Sequence, residues 1–141
     1  LYSMNLSFAD KLYFKKENTL EMILGLHRCY KSLQREIQIC CEINNLTFNE
    51  LIVILEIKKG FKKKINIANR VFLKKQNLNL ILKDLESKNI LDLSDKNILI
   101  TKNGEDLIEK TTNRINEKII KVFKRIDPKN MSGFINIIES L

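Results

Sequence analysis

Apolar residues recur in steps of three and four through Leu20, Ile23, Leu24, His27, Tyr30, Leu33, Ile37, Cys40 and Cys41. That spacing lines one face of a helix and predicts a helix over 17–43. Asn44-Asn45 ends it. Thr47-Phe48-Asn49-Glu50 has the form of a capping box, in which a hydroxyl and a carboxylate close the first helical turn. The helix it opens is predicted to run to about Ile57, with Leu51, Ile52, Leu55 and Phe48 inward. Lys58-Lys59-Gly60 stops it, with cations at the negative helix end and glycine at the cap. A short helix over 65–72, a tight turn at Leu73-Lys74-Lys75 and a helix over 76–88 make a helix-turn-helix pattern. The second helix has Leu78, Ile81, Leu82 and Leu85 on its inward face, and the small Ala68 lets the pair pack closely.

Residues 90–93 and 98–100 read as strands joined by the tight turn Ser94-Asp95-Lys96-Asn97. A hairpin directly after a helix-turn-helix stands where a wing belongs. Thr101 caps a long helix to about Ile126, and Asp127-Pro128 breaks it. Residues 129–141 form a last short helix with Phe134, Ile137, Ile138 and Leu141 apolar. The predicted class is mainly α with a small β-hairpin, a winged helix-turn-helix in a single domain over 1–141.

Composition narrows the picture. With 141 residues, 44% hydrophobic and 30% charged, the chain has the material for one packed core. Four glycines and one proline exclude a collagen-like chain and a turn-rich barrel. Three cysteines without regular spacing make no disulfide framework, so a reducing compartment, the cytoplasm, is expected. No apolar run approaches the ~20 residues of a membrane helix. The start, Leu1-Tyr2-Ser3-Met4-Asn5-Leu6, lacks the pattern of a signal peptide, and no membrane partner is expected.

Charge is more informative. The net charge is +8, from 25 basic and 17 acidic residues. Nine basic residues fall between Lys58 and Lys83 (Lys58, Lys59, Lys62, Lys63, Lys64, Arg70, Lys74, Lys75 and Lys83), with no Asp or Glu among them. The other 16 basic and 17 acidic residues nearly cancel. A positive field so concentrated is the footprint of a polyanion site, nucleic acid before membrane.

The element order, with three local words, resembles the MarR family of bacterial transcription regulators and is similar to the related staphylococcal SarA-type branch. The words are Asn45-Leu46-Thr47-Phe48-Asn49-Glu50-Leu51 with Leu55, at the opening of the second helix; Leu80 to Leu91 around Leu82, Leu85-Glu86 and Ile90-Leu91, at the end of the recognition helix; and Ile98-Leu99-Ile100-Thr101-Lys102-Asn103-Gly104, at the exit from the wing. The resemblance spans roughly residues 17–141. It implies a homodimer held by helices over about 17–43 and 102–141. It also implies a lobe over about 47–100 that binds double-stranded DNA, with helix 76–88 in the major groove.

On that reading Lys75, Gln76, Asn77, Asn79 and Lys83, with Leu80 among them, face base edges. Lys62, Lys63, Lys64, Arg70 and Lys74 contact phosphates, which position the protein without reading sequence. The family's wing is longer and carries an Asp-x-Arg motif. Asp95-Lys96 is the nearest counterpart here, and without an arginine Lys96 is expected to add little. The resemblance also implies an effector cleft between the first, second and fifth helices, although no residue here identifies a ligand.

Other chemistry is expected to be absent. The position at which some members of the branch sense oxidants falls on Met22, so Cys29, Cys40 and Cys41 are read as small buried hydrophobes. His27, the only histidine, has no cysteine or carboxylate cluster to make a metal site, and no cofactor is expected. No nucleophile elbow, P-loop or dinucleotide fingerprint occurs, and Glu105-Asp106 merely complements a helix dipole, so no enzyme is expected. A second class is a winged-helix adaptor or anti-regulator that binds proteins and has weak or no DNA affinity. The short wing favours it and the acid-free basic segment opposes it.

Overall fold

The computed structural model describes residues 16–141, so the reading of residues 1–6 lies outside the described residues. Among the described residues there are six helices and one hairpin. They run α1 (Lys16–Ile43), α2 (Phe48–Lys58), α3 (Lys64–Arg70), α4 (Lys75–Ser87), β1 (Leu91–Asp92), β2 (Leu99–Ile100), α5 (Lys102–Phe123) and α6 (Pro128–Ser140). The described residues divide into two units, 16–35 and 36–141.

In the first unit, α1 presents Leu20, Met22, Ile23, Leu24, Leu26 and Tyr30, all 52–55% exposed. The second unit begins with the last two turns of α1, which bury Cys40 and Cys41. Asn45, at φ 55°, turns the chain off the helix, and the Leu46 N–H closes it on the Cys41 carbonyl. The capping box is present: the Glu50 N–H donates to Thr47 Oγ1 and the Thr47 N–H to Glu50 Oε2.

The inward face of α2 differs from the predicted one. Leu51, Val53, Ile54 and Ile57 are buried, while Phe48, Ile52 and Leu55 are only partly so. The cause is position: α2 meets α3, α4 and β2, so it is covered from several sides and has no single apolar stripe. Ile67 and Ala68 of α3 and Leu78, Leu82 and Leu85 of α4 complete the centre of the core.

The α3–α4 turn occupies residues 71–74, with Lys75 already the first residue of α4. Phe72 sits there at φ 55°, a left-handed backbone that glycine usually occupies, and its ring is 94% exposed.

The hairpin is shorter than its sequence suggests. Only Leu91↔Ile100 and Asp92↔Leu99 pair, leaving a six-residue loop over 93–98. Asp92 Oδ1 accepts from both the N–H and the hydroxyl of Ser94, which pulls the chain out of the ladder after two residues. The same bonds hold the Asp92 carboxyl below the usual carboxylate range.

Thr101 caps α5 through the Gly104 N–H and donates its own proton to the Asn89 carbonyl, tying the base of the wing to the end of α4. The helix stops at Phe123, short of the predicted Ile126. Pro128 then starts α6 at a position where its missing N–H costs nothing, and Asp127 caps it. None of the residues of α6 is buried.

Candidate nucleic-acid interface

The first turn of α4 is the centre of the candidate site. Lys74 precedes it without a side-chain cap, so the first N–H groups of the helix are left to water or to a bound partner. Lys75, Gln76 and Asn77 are exposed on this turn, and Leu80 (63% exposed) and Lys83 continue the open face. Asn79 departs from the predicted row. It lies beside Leu78 on the inward side of α4, partly buried, and its Oδ1 is buried with no hydrogen-bond partner among the described residues.

The basic segment is less uniform in space than in sequence. The Arg70 guanidinium bonds to the Glu56 carboxylate and stacks over the Phe61 ring at 4.2 Å. Lys58 Nζ lies 2.6 Å from Glu105 Oε2. Two of the nine charges are thus balanced by carboxylates from outside the segment, and Arg70, expected to contact phosphate, is instead held by Glu56 and Phe61. Among the described residues, Lys62, Lys63, Lys64, Lys74, Lys75, Lys83 and Lys96 enter no ion pair.

Lys64 is the first residue of α3, Lys63 holds the cap position before it, and Lys62 lies in the preceding loop. Facing them is the wing loop. Lys62, Lys63 and Lys64 share a cleft of about 550 Å³ with Asp95 and Lys96, floored by Leu93 and Ile98. From sequence Lys96 carries little weight, because the wing has no arginine. The structure brings it to the same cleft as the three lysines at the start of α3.

Sequence reasoning also missed the interactions that hold this lobe. Glu50, 4% exposed, is both a capping residue and an acceptor for Lys88 Nζ at 2.9 Å, and that ammonium also donates to the Asn45 carbonyl. Asn44 Nδ2 donates to the buried Thr111 hydroxyl across 67 residues of sequence. Burial pushes the Cys41 thiol up to about 11, with Cys40 and the carboxylates of Glu42 and Glu50 adding to the effect, so it holds its proton at neutral pH. Among the described residues no group of His, Cys, Asp and Glu could hold a metal ion, and no helix is long and apolar enough to cross a membrane.

Comparison with solved structures bears on the fold. A MarR family protein of Mycobacterium tuberculosis in complex with DNA is similar, with a TM-score of 0.73 and 17% identity over 83% of this chain and 94% of that one. The same protein is known in complex with salicylic acid. A MarR family protein of Bacillus stearothermophilus has a TM-score of 0.78 and 11% identity, covering 90% and 94% of the two chains. NadR in complex with 4-hydroxyphenylacetate has a TM-score of 0.74 and 17% identity, covering 84% and 92%. No protein-family profile and no curated protein matches the sequence. The chain has the winged helix-turn-helix fold seen in MarR family regulators.

Proposed function

We propose that the protein is a homodimeric, sequence-specific transcription regulator that binds double-stranded DNA. The observation that carries this reading is that Lys74 and Lys75, beside the exposed Gln76 and Asn77 on the first turn of α4, and the lysines at the start of α3 enter no ion pair among the described residues. Lysines there hold phosphates, while the two amide side chains can form paired hydrogen bonds with adenine edges. A similarly folded protein in complex with DNA supports it. Residues 47–100 form the DNA-binding lobe. The helices over about 17–43 and 102–141 form the dimer contact, because their apolar residues lie open in the isolated chain. Neighbours in complex with salicylic acid and 4-hydroxyphenylacetate make a small aromatic acid the first class of effector to try.

Selection of duplexes bound from a random pool tests the proposal. A dimer with two recognition helices enriches an inverted repeat with half-sites about 10–10.5 base pairs apart, or a multiple of that spacing. Gln76→Ala or Asn77→Ala removes roughly 1–3 kcal/mol of discrimination while leaving affinity for random DNA nearly unchanged. A pool that shows no enriched sequence overturns the reading in favour of a protein-binding adaptor.

A further inference from the structure

The cleft between the wing and the start of α3 is more than part of a flat basic face. Lys62, Lys63 and Lys64 form one wall, Lys96 stands on the other, and Leu93 and Ile98 close the floor. Its volume of about 550 Å³ lies within the roughly 300–1,000 Å³ of small-molecule sites. The one carboxylate present, Asp95, is engaged by the Lys96 backbone N–H at 2.6 Å, and none of the four ammonium groups is paired among the described residues. Set against the one negative charge of Asp95, the four ammonium groups leave a net charge of +3 around one concavity and concentrate a positive potential inside it.

We propose that this cleft is a polyphosphate site, taking two or three linked phosphate groups that bridge its walls. Lysine supplies point charges on flexible stems, which can follow phosphate oxygens at variable spacing where an arginine guanidinium would present a fixed fork. A single phosphate carries at most about two negative charges at neutral pH, too few to match four ammonium groups, whereas a short chain of phosphates brings more charge to the same lysines. The phosphates have two sources: successive phosphodiesters of a DNA strand, or a free di- or triphosphate. In the second case the free ligand competes with DNA for the same lysines. That competition rests on the DNA-binding reading above, while the site itself does not.

Inorganic tripolyphosphate is the probe, titrated calorimetrically into the full chain at fixed ionic strength. Two variants accompany it. Lys63→Gln with Lys96→Gln removes one charge from each wall, and Lys110→Gln with Lys121→Gln removes the same charge from α5. All four lysines are exposed in the isolated chain, and circular dichroism and sedimentation check that each variant keeps its fold and the dimer proposed through α5. The expected result is saturable binding of one tripolyphosphate per chain, weakened about tenfold or more by the cleft pair and less than about twofold by the α5 pair. Duplex titrations with and without tripolyphosphate separate the sources. Competition in the unmodified protein that disappears in the cleft pair shows one site serving both. Binding without competition assigns the cleft to a free ligand and overturns the shared use. No saturable binding, or equal losses in the two variants, overturns the inference. If the duplex still binds in that case, the DNA-binding reading stands on its own.

Discussion

Gly104 stands at the tightest point of the lobe. A Cβ there would lie 2.3 Å from the Ile90 carbonyl oxygen and 2.9 Å from Ile100 Cγ2, so backbone would have to move to admit it. Gly104→Ala is expected to cost about 3 kcal/mol by separating α5 from the base of the wing, and a urea unfolding curve measures it. A loss under ~0.5 kcal/mol would show that the contact is slack. Cys41 makes a pH prediction. Its thiol ionises near the ordinary 9.0 in the unfolded chain and at about 11 in the folded one. The neutral form is therefore favoured by folding, and its contribution is intact below pH 9 and lost as pH rises to 11. That loss is at most ~3 kcal/mol, and the corresponding part of the pH slope is absent in Cys41→Ala. What was legible at this scale was local. The Thr47–Glu50 box could be read from four adjacent residues, but the Lys88 partner of Glu50 lies 38 residues away and leaves no periodic signal. Asn79 looked like its polar neighbours because composition does not say which side of a helix boundary a residue falls on.

Elements were legible where their signals repeat or where caps mark them. The heptad-like steps of α1, the box before α2 and the stripe of α4 each fixed a helix to within a residue or two. The inward face of α2 was not readable, because a helix enclosed on several sides is apolar nearly all round. The hairpin was overdrawn because Asp92 spends its carboxylate on Ser94 instead of letting the ladder continue. The α3–α4 turn holds the next prediction. Phe72 bears a left-handed backbone with no packing in return, since its ring is 94% exposed. Phe72→Gly is expected to raise stability by about 1 kcal/mol, the strain relieved being partly offset by the greater freedom of glycine in the unfolded chain. Thermal or urea unfolding reads this, and a destabilisation of similar size would mean that the ring has a contact in solution that the isolated chain does not show.

At the scale of the whole molecule, the open apolar residues need an explanation. Ile120, Val122, Ile126, Ile135, Ile137 and Ile138 are 41–60% exposed, and the α1 residues named above are equally open. Exposed apolar faces of this kind mark an interface, and the proposed partner is a second copy. Sedimentation is expected to find a dimer. Deleting residues 128–141 should turn it into aggregate or unfolded chain, whereas a soluble, folded monomer would contradict the dimer. The acid-free basic segment was the whole-molecule feature most visible in sequence. What sequence hid was the neutralisation of Arg70 by Glu56 and of Lys58 by Glu105, and the approach of Lys96 from the wing.

The most direct test of the central claim is a titration of duplex DNA at several salt concentrations. Phosphate contacts release counterions, so log K is expected to fall linearly with log salt, at about 0.9 per contact. Lys63→Gln should reduce that slope by about 1 on every sequence, while Gln76→Ala should leave the slope unchanged and weaken only the preferred site. An unmodified protein that shows no salt-dependent affinity for duplex DNA would contradict the account.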